Sequence, residues 1–205
     1  MLRRWMAALA GAVLACVVMV SGAAAQPAGE VLAFHGQCFI ETGKARSALK
    51  QGDPVQVGDT VVVPKGARLK LRMSDGSIIA AASGSRLTIG AYGTGAGGRR
   101  VKLDLAAGLL RAVVAAVSGP SRFEVDTATG VAAVRSTDWF VAAKPGMTQV
   151  GVLSGVVSLE SRATGHAVDI PARWGARVEA GMDPVPPRVW RDSEFEDVIA
   201  RTTVD

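Results

Sequence analysis

The feature of this sequence that most limits its fold is a hydrophobic period of two residues. In the segment 67–74, "ARLKLRMS", apolar and polar side chains alternate without interruption. A β-strand sends successive side chains to opposite faces, so this segment has one apolar face and one basic face. The segments 101–105 and 123–126 alternate in the same way, and valine-rich stretches predict further strands at 55–63, 150–159 and 166–170.

Turn signals separate these strands at short intervals. Asp75-Gly76, between two apolar strands, is the strongest hairpin signal because both residue types tolerate positive φ. No helical period lies between the strands, which excludes a βαβ arrangement. The sequence therefore predicts an all-β domain over residues 26–182, a roll-like or sandwich-like antiparallel β domain with a short C-terminal helix.

The tail, residues 183–205, is predicted to be a Pro-rich linker followed by that helix. Ser193 and Glu196 have the spacing of a capping box. The helix carries one apolar stripe, formed by Phe195, Val198 and Ile199. Such a stripe indicates a helix packed on the β domain, and the alternative is a helix that docks on a partner.

The N-terminal residues 1–25 have the three-part form of a secretory signal peptide. Arg3 and Arg4 precede an apolar run that ends in small residues at Ala25, and cleavage is expected near that alanine. Two alternatives are a retained anchor, for which the apolar run is shorter than the roughly 20 residues of a spanning helix, and lipidation at Cys16. The expected location is therefore periplasmic or secreted, with membrane contact only through the transient signal.

Charge and cysteine content narrow the function classes. The chain has 23 basic and 18 acidic residues, for a net charge of +5. Removal of the signal deletes two basic residues and lowers the net charge to +3, which is too small for a nucleic-acid-binding footprint. Cys38 is then the remaining cysteine, so the core must hold the domain without an internal disulfide, while pairing between molecules stays open.

No catalytic or metal-binding pattern is complete in the sequence. The glycines of 93–98, "GTGAGG", match a nucleotide-binding pattern by letter, but a strand-like segment follows where that chemistry needs a helix N-terminus. His35 and Cys38 fall short of the four ligands of a structural zinc site. Ser136, Asp138 and His166 would be the members of a hydrolase triad, although Ser136 lies in an extended run rather than at a sharp turn.

Two sets of residues are candidates for binding. The row Arg68, Lys70 and Arg72 presents three cations on one strand face, either to keep that face solvated or to contact an anionic glycan or an acidic protein. Aromatic rings could stack on sugars if they were exposed, and the candidates are Trp139, Trp174 and Trp190.

Two long runs resemble the FecR-type periplasmic domain family. Residues 52–89 contain a Gly-Asp strand entry, an alternating strand and Asp-Gly-Ser before a second strand. Residues 123–161 contain a Phe-x-Val strand, a version of the family's Ala-Val-Arg-Gly-Thr-x-Phe-x-Val motif and a valine hairpin around Gly155. The resemblance spans about residues 30–180.

The resemblance implies an all-β envelope module without catalytic residues or cofactors. The founding members of the family relay iron-siderophore signals through a cytoplasmic anti-sigma segment and a membrane helix. We expect this chain to lack that segment, because Met1 leads directly into the signal peptide. Motif residues with an expected structural role are Arg135, Thr137, Asp138, Phe140 and Gly155, and Ser136 occupies the position where the family usually has glycine.

These observations predict a non-enzymatic, exported FecR-type domain that acts as a protein-interaction or sensing module of the bacterial cell envelope. Its expected partner is an envelope protein. The alternative is a glycan- or cell-wall-binding module that uses the tryptophans and the basic row. A hydrolase centred on Ser136 is a third, more remote class, and neither a metal nor a nucleic acid is expected as a ligand.

Overall fold

The computed structural model describes residues 27–95 and 97–204. The predicted signal peptide, its cleavage point near Ala25 and the alternative lipidation site Cys16 lie outside these residues. Within the described part of the chain, no helix has the length and apolar character needed to cross a membrane.

The described residues form seventeen strands and one helix, α1 (Asp192–Thr202). The strands are β1 (Gly29–His35), β2 (Phe39–Thr42), β3 (Ala45–Ala48), β4 (Pro54–Val55), β5 (Thr60–Val63), β6 (Arg68–Met73), β7 (Ile78–Ala81), β8 (Ser85–Gly95), β9 (Gly98–Val113), β10 (Ser121–Asp126), β11 (Gly130–Val134), β12 (Asp138–Lys144), β13 (Met147–Ser154), β14 (Val156–Ser161), β15 (Ala167–Pro171), β16 (Trp174–Glu179) and β17 (Arg188–Val189). The all-β prediction with a short C-terminal helix is confirmed.

The strands build two sheets that face each other. One sheet, here called the helix-covered sheet, has the order β4, β1, β6, β7, β9, β12, β13, β16, β17. The other, the open sheet, has the order β3, β2, β5, β8, β9, β10, β11, β14, β15. The chain therefore forms a sandwich, and successive strand pairs alternate between its two layers.

Strand β9 belongs to both sheets and connects them. Its first part pairs with β8 and β10 in the open sheet, and its last part pairs with β7 and β12 in the helix-covered sheet. It changes sheet at Gly108, where φ is +102° and an added Cβ would lie 2.2 Å from Ser85 Oγ. Glycine is needed here because both the backbone angle and the space exclude a side chain.

The pairing of β9 with β10 is parallel, which departs from the predicted antiparallel arrangement. Parallel neighbours need a long crossover connection. Here the crossover consists of the second part of β9, which lies in the opposite sheet, and the loop that returns to Ser121. The other strand pairs in the described residues are antiparallel.

The core lies between the two sheets and follows the predicted alternation. Strand β6 buries every second side chain, and the same pattern runs along the first part of β9. The inward-facing residues of these strands and of β10 are at most 1% exposed: Leu69, Leu71, Met73, Val101, Leu103, Leu105, Phe123 and Val125. Asp75-Gly76 forms the turn between β6 and β7, with Gly76 at φ +84° as predicted.

A buried ion pair joins Arg99 at the start of β9 to Asp75 in the β6–β7 turn. The Arg99 Nη1 to Asp75 Oδ2 distance is 2.9 Å, and both side chains are 1% exposed. Arg99 also donates to the Ala115 carbonyl at 2.7 Å, to Ser121 Oγ at 2.7 and 3.0 Å, and to the Arg135 carbonyl. The carboxylate accepts hydrogen bonds from the backbone and side chain of Ser77.

Helix α1 lies on the outer face of the helix-covered sheet. Phe195 of the helix contacts Phe140 and Trp190, with ring centroids 6.3 and 5.6 Å apart. The rings of Phe140 and Trp190 lie over Gly151 and Gly175, which face each other on β13 and β16. This pair of glycines leaves the space in which the two aromatic rings lie against the sheet.

The helix cap differs from the predicted Ser193–Glu196 pair. The helix begins after Arg191, and Glu194 accepts a hydrogen bond from the Arg191 backbone N–H at 2.9 Å. The side chain of Ser193 is exposed. The predicted N-cap, Ser193, thus lies two residues after the observed one, Arg191. The helix starts earlier because Trp190, directly before Arg191, packs on the sheet.

We predict that Arg99→Met lowers the free energy of unfolding by about 3–5 kcal/mol, because the Asp75 carboxylate then stays buried without its cation. Urea-induced unfolding followed by circular dichroism measures this loss. Arg100→Met is the matched control, since the neighbouring side chain is exposed and its removal should change stability by no more than about 0.5 kcal/mol. Equal losses in the two variants would contradict the prediction.

Candidate functional site

The basic row on β6 is engaged by the protein itself. Arg68 Nη1 donates to the Ala200 carbonyl at 3.3 Å, and Lys70 Nζ donates to the Val204 carbonyl at 3.0 Å. Arg72 forms an ion pair with Glu30 on the neighbouring strand β1. Cations stabilise the C-terminal end of a helix, where carbonyl groups lack partners. Arg68 and Lys70 therefore anchor the end of α1 and the chain that follows it, and Arg72 is paired within the sheet.

The three candidate tryptophans have different surroundings. Trp139 is 0% exposed in the core between the sheets, and Trp190 is 7% exposed beneath α1. Trp174, at 37% exposed, is the one with a ring partly open to solvent. Of the three, only Trp174 is therefore exposed enough for its ring to stack on a sugar.

The segment "RSTDWFV" connects the open sheet to the helix-covered sheet. Trp139 points into the core between the sheets, and Phe140 points to the opposite face beneath α1. Asp138 accepts two hydrogen bonds from Arg111 on β9, at 2.9 and 2.8 Å. This bidentate pairing raises the pKa of Arg111 and fixes the register of β12 against β9.

Gly155 packs closely against Ser136 and Thr137 of that segment. Its φ is +89°, and an added Cβ would lie 2.9 Å from Thr137 Oγ1 and 3.0 Å from the Ser136 carbonyl. Thr137 is buried, and its hydroxyl donates to the Val156 carbonyl at 3.4 Å. Ser136 is not among the described residues with positive φ, so its backbone does not need the glycine that the family motif usually has there.

The residues of the hydrolase hypothesis have other partners. Ser136 Oγ donates to the Val114 carbonyl at 3.4 Å, and Asp138 is held by Arg111. His166 Nδ1 lies 2.9 Å from Asp183 on the exposed surface. Among the described residues, Ser136, Asp138 and His166 thus do not form the two hydrogen bonds, Ser–His and His–Asp, on which a triad depends.

The metal and nucleotide candidates also lack the arrangement that their chemistry needs. Within residues 27–95 and 97–204, no group of three His, Cys, Asp or Glu side chains could hold a metal ion. The glycines of "GTGAGG" end β8 at Gly95 and begin β9 at Gly98. A strand follows them, as expected from the sequence, so no helix N-terminus faces a phosphate there.

Cys38 is a buried core residue with 0% exposure. Its thiol approaches the Arg68 carbonyl at 3.7 Å, and burial raises its pKa to about 11. The thiolate is the form that reacts and binds metals, so this environment makes the side chain inert in the folded protein.

We expect Cys38 to resist Ellman's reagent at pH 8 in a Cys16→Ser background. A pKa about three units above that pH leaves roughly one thiol in a thousand ionised, and the reagent also lacks access. In denaturant the same thiol should react within minutes. Labelling of the native protein at the rate of the unfolded chain would contradict the buried placement.

A groove on the outer face of the open sheet is the candidate site. Its volume is about 570 Å³, within the usual range for ligand-binding clefts. Residues from four adjacent strands and from the turn after β11 line it, among them Arg122, Ala133, Arg135, Val156, Ser158 and Asp169. A second depression of about 310 Å³ shares Arg122, Ala133 and Ser158 and extends the groove along the sheet.

The groove has a floor of small side chains and charged walls. Ala133 and Ser158 are direct partners in the β11–β14 register, so they lie side by side on the floor. Val156, at the end of the groove near Arg135, is 53% exposed. Arg122 on β10 and Asp169 on β15 flank this floor, which therefore lies between charged walls.

The charges at the two ends of the groove differ in their pairing. In the extension, Lys102 lies 2.8 Å from Asp126, which also binds Arg162, and Arg122 pairs with Glu124. Among the described residues, Arg135 and Asp169 form no ion pair. Their charges are therefore available to a ligand.

The backbone of Arg135 is fixed although its side chain is free. Its carbonyl accepts the hydrogen bond from the buried guanidinium of Arg99. Arg135 was expected to have only a structural role. Its backbone carbonyl has that role, because it accepts the hydrogen bond from Arg99. Arg122, Ser158 and Asp169 were not singled out from the sequence, because the contact between β11 and β14 that brings them together joins segments far apart in the chain.

Comparison with known families and structures agrees with this fold. The family model described as FecR protein matches residues 59–158. Two crystal structures, at 2.50 and 1.65 Å resolution, of a candidate anti-sigma factor from Parabacteroides distasonis share the fold, with TM-scores of 0.56 and 0.54 and 14% and 16% sequence identity. Each alignment covers 67% of this chain and 62% of the solved chain.

The chain thus spans less than two thirds of those solved proteins, and at this identity the likeness concerns the fold alone. No curated protein matches the chain.

Proposed function

We propose that this chain, whose residues 59–158 match the FecR family model, is a non-enzymatic interaction or sensing module of the bacterial cell envelope. The family match supports a regulatory or sensing role, and the resemblance seen in the sequence agrees with it. The candidate catalytic residues support the non-enzymatic part of the proposal, because Ser136, Asp138 and His166 each have other partners.

The proposed interface is the groove of the open sheet. The observation that carries this choice is the pair of unpaired charges, Arg135 and Asp169, on the walls of a cleft with a small-residue floor. Charged side chains on a protein surface usually cost little to leave solvated. Here they face a concave surface, where a ligand can contact both at once.

An extended segment of a partner protein fits this groove best. The groove offers the Ser158 hydroxyl for a backbone amide and the exposed Val156 for an apolar side chain. Arg135 can bind a carboxylate of the segment, and Asp169 can bind a basic side chain. The partner segment is therefore expected to carry charges of both signs.

A sugar polymer is less well served by the same surface. Among the candidate tryptophans only Trp174 has a partly exposed ring, and it is absent from the groove lining. Aromatic rings supply much of the apolar contact area in ligand sites. Because none of the candidate tryptophans lines the groove, we propose a protein rather than a sugar polymer as its partner.

We predict that a photo-reactive benzoylphenylalanine at Ser158 forms an adduct with a protein in cells that naturally make this chain. Arg135→Glu should reduce the adduct about fivefold, since reversal of one rim charge replaces attraction by repulsion. Arg177→Glu, on the other sheet, is the control and should leave it unchanged. The adduct is measured by gel shift with protease and lysozyme digestion.

The outcomes of that experiment separate the hypotheses. Protease-sensitive adducts that depend on Arg135 support the proposed interface. Adducts removed by lysozyme instead support the cell-wall alternative, and adducts insensitive to Arg135→Glu would show that the groove is not the binding surface.

The envelope location is part of the proposal and has its own test. We expect the protein recovered from the periplasmic or culture fraction to begin at Gln26. N-terminal sequencing and intact mass measure this start directly. A chain that still begins at Met1, or at a lipid-modified Cys16, would contradict cleavage near Ala25.

A further inference from the structure

Three arginines lie side by side on the outer face of the open sheet. Arg100 on β9 is the direct partner of Arg122 on β10 in the parallel register. Arg135 follows Val134, whose partner is Phe123, and therefore lies opposite Arg122. Arg122 and Arg135 line the groove, so Arg100 extends it by one strand. We call these three residues the arginine row.

The arginine row points to solvent because the alternate positions of its strands point into the core. Val101, Phe123 and Val134, each next to a member of the row, are at most 6% exposed. Successive side chains of a strand lie on opposite faces. The Arg122 side chain is 70% exposed, and the other two arginines are exposed residues. All three cations are therefore accessible from the same side of the sheet.

Few carboxylates balance this row. Arg122 Nε donates to Glu124 Oε1 at 2.7 Å, within its own strand. Among the described residues, Arg100 and Arg135 form no ion pair. Like charges directly opposite each other on neighbouring strands lower the stability of a sheet. The free protein thus carries a repulsion that an anion bound across the row relieves.

The same line of positions continues into two apolar side chains. By the β11–β14 register, Arg135 lies opposite Val156, which is the partner of Pro171 on β15. Val156 is 53% exposed, and Pro171 is also exposed. Neighbouring strands are about 4.8 Å apart, so the four spacings from Arg100 to Pro171 span about 19 Å. An extended peptide covers this distance with about six residues.

The neighbouring positions of the sheet oppose a broad anion. Next to the arginine row, the same face carries the carboxylates of Glu124, Asp169 and Glu160. A lipid surface or an anionic sugar polymer that covers the whole face meets these negative charges. A single extended chain that lies along the arginine row keeps its acidic side chains over the cations.

We infer that the arginine row binds the acidic half of an extended partner segment whose other half is apolar. The inference rests on the function proposed for the groove and adds the order of the partner's residues. Carboxylates lie over the arginine row, and an apolar side chain lies over Val156 and Pro171. Each guanidinium presents paired N–H donors that match a carboxylate in a bidentate geometry.

The test is a fluorescence-anisotropy titration of the purified full chain with labelled synthetic hexapeptides at low ionic strength, where exposed charges are least screened. The first peptide is Glu-Asp-Glu-Gly-Val-Leu. The second replaces its acidic residues by Lys-Arg-Lys, and the third interleaves the same residues as Glu-Val-Asp-Gly-Glu-Leu. We expect the first peptide to bind at least about tenfold tighter than the second and about threefold tighter than the third.

One substitution separates binding from folding. Arg100→Glu should weaken binding of the first peptide about fivefold. It should also raise the midpoint of thermal unfolding by about 1–2 °C, since it places a carboxylate opposite Arg122. A variant that is more stable but binds less cannot owe its loss to misfolding. Arg177→Glu, at an exposed position of β16 in the helix-covered sheet, is the matched control and should leave binding unchanged.

The outcomes distinguish this inference from the proposed function. Weaker binding of the first peptide in both Arg100→Glu and Arg135→Glu supports the inference. A cellular adduct at Ser158 that depends on Arg135 but not on Arg100 keeps the proposed interface and overturns the arginine row as its acidic subsite. Equal binding of the first two peptides, a lower unfolding midpoint in Arg100→Glu, or binding to phosphatidylglycerol vesicles with none to the peptides would each overturn it.

Discussion

The buried guanidinium of Arg99 contacts Asp75, Ser121 and the carbonyls of Ala115 and Arg135 at once. These groups come from four segments: the β6–β7 turn, the loop after β9, the start of β10 and the turn before β12. Removal of two charges from water costs several kcal/mol per ion, and this cost is offset only when further hydrogen bonds satisfy the remaining donors and acceptors. The network therefore holds only when the strands of both sheets are correctly placed, and it fixes the parallel crossover between β9 and β10.

The same network determines how the candidate interface is presented. The Arg135 carbonyl is used by Arg99, which holds the backbone of the turn while the side chain stays free at the groove. Gly155 approaches this turn from the start of β14, where a side chain would collide with Thr137. The rim of the groove is thus rigid although it lies in a connection between strands. Rigid positioning of this kind lowers the entropy lost on binding.

The two outer faces of the sandwich have different roles because α1 covers only one of them. The helix uses the aromatic rings of Phe140 and Trp190 as its support and the cations Arg68 and Lys70 as partners for the C-terminal carbonyls. A row of charges that looks like a ligand surface is therefore part of the helix attachment. The face without a helix retains the groove.

Local patterns in the sequence determined the β class, the Asp75-Gly76 hairpin and the inward-facing residues of β6 and β9, because strand alternation depends only on neighbours along the chain. They also indicated the C-terminal helix, although its start was predicted two residues late. Tertiary structure alone decided that both Trp139 and Phe140 are buried, since the second apolar face exists only where α1 packs. It likewise decided that Arg135 and Asp169 share one groove while Arg68 and Lys70 face a helix end. Such pairings join residues far apart in the chain, and no period in the sequence encodes which strand becomes the neighbour of which.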